Sequence, residues 1–126
     1  MPWEAAWLDE QETIILVRVS QPWEWDQLDE LVIRYHRWIS VRPYGVAVLY
    51  DVRDVGPIRP GIILRARQYL ASQPPNLTRV VIAGATRFMV DLMRIGARSI
   101  MRDHQVHFTT TVEEAQQLIA ALREQS

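Results

Sequence analysis

The sequence contains no cysteine and no lysine. Without cysteine the chain forms no disulfide and no thiolate metal site, and it has no thiol for catalysis. The 14 basic residues are therefore all arginine, and the formal net charge is −1. No apolar run approaches the roughly 20 residues that a membrane-spanning helix needs, so we expect no membrane insertion. The acidic N-terminus has no basic n-region. We therefore expect a cytoplasmic protein.

The remaining composition is that of an ordinary globular domain. The 126 residues are 48% hydrophobic and 23% charged, which predicts one domain over residues 1–126. The charges are unevenly placed: residues 1–30 hold eight acids and one arginine, whereas residues 51–110 hold nine arginines and four acids. This asymmetry indicates either steering of a charged partner or a preference for arginine in surface ion pairs.

The hydrophobic pattern predicts an α/β fold. The runs WEAAWL and ETIILVRVS predict an N-terminal hairpin. The runs YGVAVLYDV, TRVVIAGA and QVHFT predict further strands, and segments of helical period separate and follow them. The order ββαβαβαβα favours a mixed sheet of four to five strands covered by about four helices.

Helical spacing also predicts which side chains face the core. The first helix is expected to bury Leu28, Leu31, Val32, Tyr35 and Ile39. The third helix is expected to bury Phe88, Leu92, Ile95 and Ser99, and the last helix Ala115, Leu118, Ile119 and Leu122. Two overlapping capping boxes, Thr110 with Glu113 and Thr111 with Glu114, open the last helix.

The stretch VAVLYDV, which ends in Asp51 and precedes a loop and a helix, resembles STAS domains and the related SpoIIAA-like group. In that family an apolar strand ends in aspartate, and the next helix begins with a turn whose serine is phosphorylated in anti-sigma-factor antagonists. Here the segment 58–61, IRPG, stands in place of that turn, and no serine or threonine lies between Ser40 and Ser72. The resemblance implies the family's fold without its serine phosphoswitch.

The loop after Asp51 offers little chemistry. Asp51 and Asp54 are three residues apart and suit an acid pair or a cation site, but a working acid pair needs two different pKa values. Arg53 and Arg59 favour two ionised carboxylates instead. Bonding to loop amides is the competing role for Asp51. We predict no catalytic residue and no cofactor.

The histidines do not form a metal site either. His104 and His107 lie three residues apart around a strand, and residues at odd separation point to opposite faces. His36 lies beside core positions of the first helix, where a partly buried structural role is expected. We predict no metal.

Arginines recur every three to four residues along the third helix, with Asp91 among them. This stripe is either solvated, with Asp91 bridging Arg87 and Arg94, or a docking surface for an acidic protein. The slightly negative net charge argues against nucleic acid. The predicted partner-binding residues are Asp51, Arg53, Asp54, Arg59, Arg87, Arg94 and Arg98.

Five tryptophans are many for a chain of this length. Trp3 and Trp7 share one side of the first strand, which we expect at a sheet edge. We therefore predict a homodimer whose interface includes both. The competing account packs both rings against the domain's own helices.

These observations predict a non-enzymatic protein-interaction or regulatory module of STAS-like type, with an unknown protein partner. The alternative is a small apolar-ligand or lipid carrier. In that case Trp25, Tyr69, Met89, Met93 and Met101 are expected to line a pocket, because methionine adapts to irregular ligands. Ordinary core packing is the competing account of these five residues.

Overall fold

A computed structural model describes residues 3–125, apart from the side chains of Trp3, Ile100 and Asp103. The strands are β1 Trp3–Trp7, β2 Ile14–Val19, β3 Val46–Asp51, β4 Leu77–Ala83 and β5 Val106–Thr109. The helices are α1 Trp25–Ser40, α2 Ile62–Ala71, α3 Arg87–Asp103 and α4 Val112–Glu124. The α/β class, the mixed sheet and the order ββαβαβαβα predicted from the sequence are confirmed.

The sheet follows the order of the chain, β1-β2-β3-β4-β5. β1 pairs antiparallel with β2, so the predicted hairpin is present and β1 lies at an edge of the sheet. The other three pairings are parallel. Only the hairpin makes the sheet mixed.

The strand order explains where the helices lie. Connections between parallel strands are right-handed in nearly all proteins. Since β2 to β5 advance in one direction across the sheet, their three crossover helices fall on the same face. Tyr35 of α1, Leu70 of α2 and Met93 of α3 accordingly share one core. Ala115 and Ile119 of α4 pack on the opposite face.

The continuous apolar run of β3 follows from burial on both faces. Val46 and Val48 point into the core under α1, α2 and α3. Ala47 and Leu49 point toward α4. All four side chains are at most 1% exposed.

The predicted faces of the first and last helices agree with the structure. All five predicted core residues of α1 are buried. In α4, Ala115 and Ile119 are fully buried, and the other two predicted residues are half-buried. Only half of the second predicted capping box forms: the Glu114 backbone N–H donates to the Thr111 hydroxyl at 3.1 Å, but the Glu114 carboxylate accepts from the Thr110 backbone N–H at 3.3 Å instead of from Thr111.

The predicted inward face of α3 is wrong. Phe88 is 70% exposed and Ile95 is 84% exposed. The buried side chains are instead Met89, Met93, Ala97 and Met101. Both sets satisfy helical spacing, so periodicity alone does not choose between them.

The contact with α2 accounts for the rotation of α3. Gly96 lies so close to Ile63 that a Cβ atom added at Gly96 would come within 2.9 Å of Ile63 Cγ2. The small residue therefore faces α2, and the helix turns its methionines toward the sheet. Ala97, which follows, has non-helical φ and ψ of −136° and 23°.

Candidate functional site

Asp51, the last residue of β3, is a buried carboxylate held by arginine. It accepts hydrogen bonds from the Arg53 backbone N–H at 3.2 Å and from the Arg53 guanidinium at 3.0 and 2.8 Å. Arg18 Nε lies 3.8 Å from the second carboxylate oxygen. The Arg53 hydrogen bonds, opposed by partial burial, lower the pKa of Asp51. Asp51 is 7% exposed, so its carboxylate serves the loop and offers a partner almost no surface.

Arg53 joins the ends of two strands. Its side chain passes over Gly84, at the end of β4, where an added Cβ atom would come within 2.3 Å of Arg53 Cγ. Gly84 also has a φ of +86°, a conformation that glycine adopts without strain. Arg53 thus binds Asp51 at the carboxyl end of β3 and packs over Gly84 at the carboxyl end of β4.

The rest of the loop rests on the segment before α1. Trp23 Nε1 donates to the Val55 carbonyl at 2.8 Å, and the Gln21 backbone N–H donates to the Asp54 carbonyl at 3.0 Å. The Arg59 guanidinium lies 3.9 Å from the Trp23 ring centroid. These contacts hold the loop backbone at several points, and the charged side chains that are exposed are those of Arg53 and Asp54.

The arginines predicted on α3 lie in a different environment. Arg87, Arg94 and Arg98 are exposed, and Arg94 lies over the Phe108 ring at 5.5 Å from its centroid. None of the three has an ion-pair partner among the described side chains, so the predicted bridging by Asp91 is not formed. The predicted partner-binding residues therefore divide into an internally bonded loop and a free arginine surface on α3.

An apolar cavity of about 140 Å³ lies between the sheet and helices α1, α2 and α3. The sheet contributes Tyr50, Ile82 and Phe108 to its wall, and the helices contribute Trp25, Ala66 and Met93. Of the five residues predicted to line a pocket, Trp25, Tyr69, Met89 and Met93 do so. Met101 is buried in the same core but is not part of the cavity wall.

Two tyrosine hydroxyls provide the polar centre of this cavity. The hydroxyls of Tyr35 and Tyr50 are hydrogen-bonded to each other. Burial raises the pKa of Tyr50 to about 12 and that of Tyr35 well above its ordinary value, so both hydroxyls keep their protons. One hydroxyl donates within the pair, which leaves the proton of the other hydroxyl to bind a ligand. His36, Arg65 and Gln73 are further polar residues of the cavity wall.

Asp29 of α1 links two residues of α2 at the boundary of the cavity. Its carboxylate accepts hydrogen bonds from the Tyr69 hydroxyl at 2.7 Å and from the Arg65 guanidinium. Partial burial opposes these bonds, but together they lower the pKa of Asp29. Arg65 also lies over the Trp25 ring, 5.3 Å from its centroid. We call Asp29, Arg65 and Tyr69 the α1–α2 latch.

An open groove between α1 and α2 lies next to the cavity. Arg65, Tyr69 and His36 line both the groove and the cavity. These three side chains therefore separate the cavity from solvent along this route.

His36 is half-buried, as expected, and packs its ring edge-on against Tyr35 at 4.9 Å between centroids. Burial lowers its pKa to about 4. The imidazole is neutral at pH 7 and adds no charge to the cavity wall.

The tryptophans are mostly internal. Trp7 stacks on Trp38 with ring centroids 6.3 Å apart, and the Arg42 guanidinium lies 4.8 Å from the Trp7 ring. Trp23 is buried under the loop. The Trp3 side chain lies outside the described residues. Trp7 thus contacts its own domain, and the homodimer stays a prediction.

Metal sites and membrane-spanning helices each place requirements on the described residues. Within residues 3–125 as described, no group of three or more histidine and carboxylate residues is placed to hold a metal ion. Among the helices described, none combines the length and apolar character needed to cross a bilayer. His107 has a buried Nε2 that has no hydrogen-bond partner among the described residues, and burial and the nearby Arg79 lower its pKa.

Sequence reasoning missed the latch and the tyrosine pair. Tyr35 was expected in the core, and its hydroxyl required a buried partner there. That requirement pointed to another polar side chain on the same face of the sheet, which is Tyr50. No sequence signal links Asp29 to Arg65 and Tyr69, which are 36 and 40 residues away along the chain.

No protein-family model, curated protein or solved structure matches this chain.

Proposed function

We propose that this chain is a non-enzymatic protein that binds a small apolar molecule in the cavity between the sheet and helices α1, α2 and α3. The cavity is the observation that supports this function. Protein interiors are normally packed as densely as organic crystals, with few voids larger than a water molecule. An apolar cavity of about 140 Å³ is therefore a departure that requires an explanation.

The wall chemistry favours an apolar occupant over water. Apolar cavities of roughly this volume stay dry and accept small aromatic molecules, because buried water needs two to four polar partners. Apolar side chains form most of the wall, with aromatic rings and two methionines among them, and methionine adapts its shape to a ligand. His36 stays neutral, and the Arg65 guanidinium is bound by the Asp29 carboxylate, so the wall favours no charged ligand.

The tyrosine pair adds a preference within this class. Its free hydroxyl proton suits a ligand with one hydrogen-bond acceptor, such as a ketone or ether oxygen. A neutral hydrogen bond contributes about 1 kcal/mol net. We therefore expect an aromatic or branched apolar ligand with a single acceptor to bind about fivefold more tightly than its hydrocarbon counterpart.

Two probes with the same carbon skeleton test this proposal. Acetophenone and ethylbenzene have similar shapes, but only acetophenone carries an acceptor. Calorimetric titration is expected to show binding of both, with acetophenone about fivefold tighter. The Tyr35→Phe/Tyr50→Phe variant removes both hydroxyls and is expected to abolish that difference while keeping ethylbenzene binding.

A matched pair of α2 variants tests the location. Ala66 lines the cavity, whereas Ala71 is exposed at the end of the same helix. Ala66→Phe is expected to weaken ethylbenzene binding at least about tenfold by filling the space, and Ala71→Phe to leave it unchanged. Equal affinities for both variants, or no binding to the parent protein, would refute the proposal. Circular dichroism checks that both variants are folded.

A protein-interaction or regulatory role is the second candidate. Its support is the exposure of Phe88 and Ile95 beside arginines that have no described ion-pair partner. The loop after Asp51, with Arg53, Asp54 and Arg59, is a further candidate for contact with that partner. This role accords with the proposed STAS-like relationship and with a cytoplasmic location.

A homodimer through β1 is also proposed. The edge position of β1 supports it, because an edge strand has unpaired backbone groups. We expect the solution mass to be that of a dimer, and Trp3→Ser/Trp7→Ser to lower it toward the monomer. A parent protein that is monomeric at high micromolar concentration would contradict the proposal.

A further inference from the structure

The outward side of α3 carries two adjacent stripes of different chemistry. The apolar stripe consists of Phe88, Leu92 and Ile95. Phe88 is 70% and Ile95 84% exposed, while Leu92 is half-buried. Leu64 of α2 is a further exposed apolar residue, at 60%. Single exposed apolar residues are normal on protein surfaces, but grouped ones mark interaction sites.

Helical geometry places the apolar stripe on the side of α3 that faces α2. Gly96 contacts Ile63 of α2, as its close approach shows. Leu92 precedes Gly96 by four residues and lies on the same flank. Phe88 and Ile95 extend that flank outward, and Leu64 follows Ile63 on the facing helix. The apolar stripe of α3 therefore lies beside α2, and Leu64 is an exposed apolar residue next in sequence to the one that contacts Gly96.

The arginine stripe consists of Arg87 and Arg94, which lie on the neighbouring side of α3, and of Arg98 and Arg102, which follow the non-helical residue Ala97. All four are exposed, and none has an ion-pair partner among the described side chains. Asp91 is the only acid on this stripe whose side chain the structure describes. The stripe therefore has an excess of positive charge that the described residues of the chain do not neutralise.

We propose that the two stripes together bind an acidic amphipathic helix of a protein partner. The apolar side chains of that helix would pack on Phe88, Leu92, Ile95 and Leu64, and its carboxylates would face the arginines. The arginine fork matches a carboxylate with two parallel hydrogen bonds, which gives orientation as well as attraction.

The spacing of the apolar stripe favours a helix. Phe88, Leu92 and Ile95 have the i, i+4, i+7 spacing by which helices present anchors to one another. They extend over about two helical turns, roughly 10 Å, which is the footprint of a packed helix. Charge favours a protein over a bilayer. The whole chain has a net charge of −1, so a broad anionic surface would gain attraction only at this patch.

The probes are three peptides of about 18 residues, roughly five helical turns. They share one leucine stripe and carry glutamate, glutamine or lysine on the flanking positions. Binding is measured by fluorescence anisotropy at low salt. We expect the glutamate peptide to bind about tenfold more tightly than the glutamine peptide, and the lysine peptide not to bind. Added salt is expected to weaken the glutamate complex.

A charge-matched control keeps the assignment to α3 testable. Ile95→Ser/Arg98→Glu changes one residue in each stripe and is expected to weaken binding of the glutamate peptide at least about tenfold. Ile33→Ser/Arg34→Glu makes the same changes at exposed positions of α1 and is expected to leave binding unchanged. All four substituted positions are exposed, so both variants are expected to fold, and circular dichroism checks each of them.

The remaining outcomes overturn the proposal. Equal affinities for the glutamate and glutamine peptides would show that charge does not contribute to binding. Equal effects of the two variants would show that the peptide does not bind on α3. Binding to phosphatidylglycerol vesicles without binding to the glutamate peptide would assign the surface to membranes. A mass that falls to that of the monomer only in the Ile95→Ser/Arg98→Glu variant would assign it to a second copy. None of these results bears on the cavity, whose probes are separate.

Discussion

The two faces of the sheet are packed with different sets of side chains. Under α4, the buried residues are small or aliphatic: Ala47, Leu49, Val81, Ala83, Ala115 and Ile119. Under α1, α2 and α3, aromatic rings and methionines join the aliphatic residues around the cavity. One helix covers the centre of the first face, whereas three helices leave a cavity on the second.

The difference shows that packing is uneven between the two faces of one sheet. Small side chains let α4 approach the strands closely, and its Ala115 and Ile119 are 0% exposed. On the other face, space is left at the cavity between the sheet and the three helices. We infer that the α4 face is the more closely packed of the two.

The largest expected effect is a difference in stability between truncating a leucine on one face and truncating an isoleucine on the other. Leu49→Ala, on the α4 face, is expected to lower the free energy of unfolding by about 3–4 kcal/mol, since the space cannot collapse. Ile82→Ala, on the cavity wall, is expected to lower it by about 1–2 kcal/mol, because Ile82 is only half-buried and already borders a void. Urea denaturation measures both. A larger loss at Ile82 would reverse the comparison.

Adding volume gives the second test. Ala115→Leu overfills the α4 face and is expected to lower the free energy of unfolding by about 2–3 kcal/mol. Ala66→Leu places a larger side chain in the cavity. It is expected to change the free energy of unfolding by less than about 0.5 kcal/mol, or to raise that free energy. Thermal unfolding without ligand separates the two. Similar losses for both would show that the cavity wall has no room to spare.

The smallest expected effect is a pH dependence on the cavity face. The folded pKa of His36 is about 4, below its ordinary 6.5, so the unfolded chain binds the proton first. Stability is therefore constant above about pH 6.5 and falls as the pH drops from 6.5 toward 4. Because His36 is only half-buried, the total is discounted to about 1 kcal/mol.

Substitution of the two histidines resolves this slope. His36→Gln is expected to remove most of it. His107 has a pKa lowered in the same direction, so His36→Gln/His107→Gln serves as the reference with no buried imidazole. Asp29 and Asp51, with pKa values lowered from 3.8, act only below this window. An unchanged slope in the double variant would show that neither histidine is responsible.

The backbone plan was accessible from the sequence, and the rotation of individual elements was not. The continuous apolar run predicted β3, and the helical period predicted the inward face of α1. Each segment has only one apolar run or face that can be buried. On α3 two apolar sets of similar size compete, and the choice depends on where Gly96 meets Ile63. That contact joins residues of different helices, so no local pattern encodes it.

The candidate site shows the same limit. The sequence predicted four of the cavity residues because methionine and aromatic residues signal adaptable space. It also identified Asp51 and Arg53 but left their role open, and the structure shows them bonded to each other. Prediction of the α1–α2 latch would have required knowing which helices are neighbours. Long-range side-chain pairs of this kind are set by topology.

The strand order has a consequence for how the chain assembles. Each strand pairs with the one before it in the sequence, from β1 through β5. The hairpin contacts close over a short loop, whereas each parallel pair closes only after an intervening helix, so the entropy cost of loop closure is larger for the parallel pairs and slows their formation. The hairpin β1–β2 can form first and serve as a template onto which β3, β4 and β5 are added as they leave the ribosome. Only α4 must wait, because the face that it covers exists once β5 is in place.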